Sequence, residues 1–290
     1  MPELPEVETI KNDLRALVLG RRITGVTLRD PALVRRPGAD AFVARLRGQA
    51  LAGAERRGKY LMIALSAGDC LVVQLAITGQ LVLSVPREPV KKDTRLILDL
   101  DDGRQLRLWD QNGYAKVQLL AADEVAETLK LDDLGPDPTS PDFALSDFLA
   151  RLRGRRGRIK PLLLDQRFLA GLGNIYADEA LFLARIHPAR RASTLGEEEA
   201  ARLFAAIREV LLGGIAKRGT TIATYRDVLG RKGAYQHELR VFRRAGKPCP
   251  RCGTPIVLTR IGGRDTFYCP RCQPPPAETE MGRPFAEPGD

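Results

Sequence analysis

The sequence predicts an α+β protein: an N-terminal helix plus a two-sheet β-sandwich, then a helical domain, then a β-hairpin held by four cysteines. Three observations predict it. Apolar residues at Leu4, Val7, Ile10, Leu14 and Leu17 recur at helical spacing. From about residue 21 to 120 the pattern shortens to β-rich runs, and from about 141 it becomes helical again. Two Cys-x-x-Cys pairs then close the patterned part of the chain. At 290 residues the chain exceeds one small core and fits two domains with an appended module.

The first helix has Pro5 in its first turn and Gly20 at its stop. VTL, LAGAE, YLMIAL, CLVVQLAI and QLVLSV read as strands, and RLILDLDDGRQLRLW as a hairpin turning at Asp102-Gly103. These place a helix and sandwich at 1–120. The Pro-rich LGPDPTSPD marks a linker at 121–140. Four helical segments fill 141–235: FALSDFLARLRG, KPLLLDQRFLA, NIYADEALFLARI and GEEEAARLFAAIREVLLGG. The cysteine module occupies 236–273, and the Pro-rich polar stretch 274–290 reads as a disordered tail.

Lys and Arg number 46 against 36 Asp and Glu, a net charge of +10 that favours a polyanionic partner. A run of about 18 apolar residues is missing, so no membrane span is expected, and MPELPEVET is no secretory signal. A cytoplasmic protein follows. The two histidines, His187 and His237, lie far apart, which argues against Ser-His-Asp or His-metal chemistry. His187 and the lone Cys70 read as structural.

Cys249 and Cys252 are separated from Cys269 and Cys272 by sixteen residues. Two such knuckles bring four thiolates to one tetrahedral point, the signature of a single Zn²⁺. Four protein ligands close the site, so the zinc is structural. Gly262-Gly263 sits between two β-rich runs, and Arg264 follows the turn.

The run RLRGRRGRIKP, residues 151–161, reads either as a phosphate-facing stripe or as a solvated basic loop. In AGLGNIYADE, Gly171 and Gly173 permit a tight turn and Asn174 caps the helix starting at Ile175. Glu3 and Glu6, by themselves, are favourable first-turn charges.

MPELPEVET, RRGKYL, LGPDP, LLLDQRFLAGLGNIYADEALF, GTT, YQHELRVF and PCPRCGTPI…GGRDTFYCPRCQ occur in this order. Together they resemble the formamidopyrimidine-DNA glycosylase/endonuclease VIII family, formamidopyrimidine branch, over nearly the whole chain. The resemblance implies a helix–two-turn–helix in the helical domain and a bifunctional glycosylase/AP lyase in base-excision repair. With Met1 removed, the secondary amine of Pro2 would attack C1′ of the damaged nucleotide and form an iminium ion. Glu3 would give acid–base help, and Glu6 would hold the N-terminal site. Lys59 would assist β-elimination and Arg264 δ-elimination. Lys160 and Asn174 would face DNA. The implied partner is double-stranded damaged DNA, bound by a monomer without a nucleotide cofactor, in a bacterial-type nucleoid.

The chain departs from the family where the vacated base stack is filled. The family block HLGMSG reads QLAITG, so Gln74 replaces His and Ile77 replaces the inserting Met. The block NDPRRFG reads WDQNGYA, so Asn112 stands at the arginine position and Gly113 at the next, while Tyr114 keeps the aromatic wedge. The family arginine carries the preference for cytosine opposite the lesion, so relaxed opposite-base choice is expected. Two alternatives stand beside the purine glycosylase: an endonuclease VIII-like enzyme on oxidised pyrimidines, and a non-catalytic binder of damaged DNA.

Overall fold

The computed structural model describes residues 2–275. Met1 and positions 276–290 of the expected tail lie outside the described residues. The contacts divide the chain into two compact units, 1–134 with 213–237, and 135–212 with 238–290.

The first unit opens with α1 (Leu4–Leu17). Leu4, Val7, Ile10 and Leu14 are buried together. Each is worth roughly 1.5–3 kcal/mol of burial, so packing rather than propensity fixes the helix. There follow β1 (Ile23–Leu28), β2 (Val34–Arg36), α2 (Ala39–Leu46), β3 (Leu51–Arg57), β4 (Tyr60–Leu65), β5 (Asp69–Gln74), β6 (Gln80–Ser84), β7 (Thr94–Leu100), β8 (Gln105–Trp109), β9 (Lys116–Ala121) and α3 (Val125–Leu129). One sheet has the order β1-β7-β8-β6 and the other β2-β9-β5-β4-β3. Their apolar faces share one core with α1. The β7–β8 hairpin pairs Leu98 with Leu106 and turns at Gly103, φ +81°. Strand β5 ends at Gln74, and LAI is loop, with Ala76 at φ +50°.

Two stretches differ from the sequence reading. Residues 122–134 are packed rather than a linker. Val125 and Leu129 bury against Cys70, Val72 and Leu120. That burial pushes the Cys70 thiol up to about 11, which leaves it an inert packing group. Residues 213–237 pack with the first unit, not the helical one, because Tyr225 and Val228 complete the sandwich core.

The second unit holds α4 (Leu145–Leu152), α5 (Ile159–Leu164), α6 (Asn174–Ala184), α7 (Glu197–Ala216), β10 (Val257–Ile261) and β11 (Arg264–Tyr268); the division between units falls inside α7, after Leu212. Helix α5 stops before DQRFLA, where Asp165 accepts from the amide of Arg167 and Gln166 Oε1 from that of Gly171. Such side-chain acceptors compete with helix continuation. Helix α6 is buried nearly all round, and its two acids, Asp178 and Glu179, are buried with its apolar residues. Among the described residues no helix is long and apolar enough to cross a membrane.

Candidate functional site

In the first unit, Pro2 and Lys59 line one cavity of about 290 Å³, with Gln74, Tyr114 and the cations Arg35 and Lys116. Pro2 enters α1 through Glu3, which is 2% exposed. Lys59 rides a two-residue turn between β3 and β4, with Arg57 paired to Tyr60 and Gly58 at φ +57°. Three basic side chains in the lining favour a polyanion.

Glu6 is 1% exposed and carries the cavity's support. Its Oε2 accepts from the amide of Glu3 at 2.7 Å, and its Oε1 from the amide of Thr220 at 2.6 Å. Two amides on one buried carboxylate form a charge-assisted clamp. Gly219 makes the approach possible: a Cβ there would meet Glu6 Cγ at 2.9 Å, and its φ is +84°. The clamp therefore joins the second peptide of the chain to loop 218–235.

Ile77 and Tyr114 are exposed, 49% and 58%, on loops 75–79 and 110–115 of the same unit. Buried Asp110 ties the loops together. It accepts from Thr78 Oγ1 and from the amide of Ala115, the latter at 2.7 Å, while the amide of Asn112 donates to Thr78 Oγ1 at 3.2 Å. Gly113, at φ +68°, lets the chain turn between Asn112 and Tyr114. The two apolar projections and Asn112 thus stand on one cross-linked pair of loops.

The second unit revises two expectations, for Lys160 and for Asn174. Lys160 does not face solvent, being 0% exposed. Its ammonium pairs with the Asp178 carboxylate at 2.7 Å and donates to the Asp265 carbonyl and to Thr266 Oγ1, each at 2.8 Å. Buried and engaged with these three groups, the ammonium is not presented to phosphate here. Burial pushes the Asp178 carboxyl up to about 7, against the pull of Lys160. Asn174 is the first residue of α6, and Gly173 is its N-cap. The Asn174 Nδ2 donates to the same Asp265 carbonyl at 2.9 Å, while its buried Oδ1 has no hydrogen-bond partner among the described residues. Lys160 and Asn174 therefore both hold the backbone beside Arg264, which is exposed at the start of β11. Gly262 and Gly263, at φ +59° and +74°, make the two-residue turn that presents it. His187 is structural: burial pushes it down to about 4, and its Nδ1 accepts from the amide of Ala189.

The four sulfurs of Cys249, Cys252, Cys269 and Cys272 lie within 4.8 Å of one another. Tetrahedral Zn²⁺ with Zn–S of about 2.3 Å needs sulfurs about 3.8 Å apart, so the set fits one zinc with no open position. Phe182, Val241, Ile256 and Phe267 pack around it. A residue that sequence reasoning missed supports this module. Buried Glu179 accepts from the amides of Arg240, Val241 and Phe242. Inside an apolar helix it carries no periodic signal.

Three family descriptions match the chain: Formamidopyrimidine-DNA glycosylase N-terminal domain at residues 1–117, Formamidopyrimidine-DNA glycosylase H2TH domain at 134–226, and Zinc finger found in FPG and IleRS at 246–275. A formamidopyrimidine-DNA glycosylase from Pelotomaculum thermopropionicum is 45% identical over 273 residues, covering 94% of this chain and 99% of that protein. A crystal structure of a Lactococcus lactis FPG mutant with Fapy-dG-containing DNA superposes with TM-score 0.89 at 35% identity, covering 94% and 100%. The MutM (FPG) protein from Thermus thermophilus gives TM-score 0.84 at 42% identity, covering 94% and 98%.

Proposed function

The chain belongs to the formamidopyrimidine-DNA glycosylase family, and from that premise we propose that it is a base-excision-repair glycosylase and AP lyase for oxidised purines in double-stranded DNA. The observation that carries the chemistry is Pro2 on a basic cavity, with its neighbouring peptide clamped by Glu6.

The damaged nucleotide leaves the stack to reach an N-terminal amine, at a cost of a few kcal/mol, less for a damaged pair. The Pro2 nitrogen bonds to C1′ as the glycosidic bond breaks, and the base departs with a proton. Glu3 assists that proton traffic. The opened sugar becomes an iminium that draws electrons from C2′. Loss of a C2′ proton expels the 3′ phosphate, and a second elimination expels the 5′ phosphate. Lys59 serves the first elimination and Arg264 the second. Hydrolysis of the iminium returns the amine and leaves a one-nucleotide gap with phosphates at both ends. Zinc supplies no step: held by four cysteines, it fixes the hairpin bearing Arg264. Ile77 and Tyr114 fill the vacated space. Work on the nucleoid, in the cytoplasm, follows from the substrate.

Borohydride trapping on DNA with an abasic site tests this. A covalent adduct is expected from the Met-processed protein and an at least hundredfold slower one from Pro2→Gly. Equal trapping by the variant removes Pro2 from the mechanism, and no adduct from the parent leaves only a binder.

A further inference from the structure

Loop 218–235 is tied to the first unit at several points, among them the amide of Leu83 donating to the Val228 carbonyl and the guanidinium of Arg218. Just past the end of α7, Arg218 sits at φ +59°, the left-handed region that favours glycine. A non-glycine residue there is held by its side chain. The Arg218 guanidinium donates through Nη2 to both carboxylate oxygens of Asp13 on α1, at 2.8 and 2.6 Å. Through Nε and Nη2 it also donates to Asp227 Oδ2, at 2.9 and 2.7 Å. Asp227 is fully buried, and its Oδ1 accepts from the amides of Leu229 and Arg231. Asp13 also accepts from the amide of Val228. Both ends of the segment 219–227 are thereby anchored to α1.

Two residues beyond Arg218 comes Thr220, whose amide holds Glu6; the other oxygen of Glu6 holds the amide next to Pro2. The Tyr225 hydroxyl donates to the Arg218 carbonyl at 3.2 Å, closing the segment on itself. We infer that Arg218, gripped by Asp13 and Asp227, is a positioning residue for the Pro2 nucleophile, acting through Thr220 and Glu6. This rests on Pro2 being the nucleophile. The clamp presets the Thr220 amide before DNA arrives, so its removal costs the rate of covalent attack more than affinity.

The side chain of Arg218 is 38% exposed, so a phosphate contact is the competing role, and the test separates the two. Arg218→Gly removes the guanidinium while keeping a residue suited to the left-handed position, so folding is retained. Its single-turnover trapping rate on abasic DNA should fall about tenfold, with the Kd for DNA containing a tetrahydrofuran abasic analogue within twofold of the parent. Asp13→Asn should do the same, and the double variant should be no slower than either single one, since both break one link. Parent-like trapping by Arg218→Gly overturns the inference. So does a loss carried wholly by Kd, which assigns Arg218 to the DNA backbone instead. The parent protein is the control: if it forms no adduct, the enzymatic reading itself fails, whereas adduct formation by parent and variant alike refutes only the role of Arg218.

Discussion

Asn112 projects from a loop whose backbone is set by Asp110 and Thr78 and whose turn needs Gly113. An amide there has a shorter reach and fewer donors than a guanidinium. The parent should therefore excise 8-oxoguanine with similar kcat/KM opposite all four bases. Asn112→Arg should raise the preference for cytosine roughly 5- to 150-fold, the range of one good bidentate contact worth ~1–3 kcal/mol. A strong cytosine preference in the parent refutes this. Single residues also show where sequence reasoning ran out. Lys160 ends a basic run, and the run's charge argued for phosphate; only packing shows the ammonium spent on Asp178, Asp265 and Thr266. Arg218 was as hard to read, because its partner Asp13 lies 205 positions away in sequence.

Elements with a local signature were legible. Helix α1, the β7–β8 turn and the β10–β11 turn each follow from spacing and a glycine that takes positive φ. The cysteine knuckles were legible for the same reason, since ligand spacing is a local property. Helix α3 was not, because its five residues bury only two side chains and proline-rich sequence follows. The β10–β11 hairpin carries its own prediction. Its strands are five residues each, and a two-stranded hairpin is marginal in water without further support. Removing zinc with a chelator should weaken binding to abasic-analogue DNA at least tenfold, read by anisotropy. The trapping rate at saturating DNA should change less than threefold, because Pro2, Glu6 and Lys59 belong to the other unit. An unchanged Kd after verified zinc loss would falsify the structural role assigned to the metal.

At the scale of the molecule, the +10 charge sets how affinity responds to salt. Phosphate contacts by six or more basic side chains should give a slope of log K against log[salt] of about −5 or steeper, since each contributes roughly −0.9. A slope shallower than about −2 in a salt titration would mean the basic runs stay solvated. The path of the chain has a consequence for how the protein is made. Residues 213–237 belong to the first unit, yet the whole of 135–212 is synthesised before them. A ribosome that has released the sandwich strands has not yet supplied Tyr225 and Val228 for their core, nor Thr220 for Glu6. The nascent first unit waits, unfinished, while α4, α5 and α6 emerge. The Glu6 clamp beside Pro2 is thus assembled late, by the return of a segment whose Thr220 is translated 214 codons after Glu6.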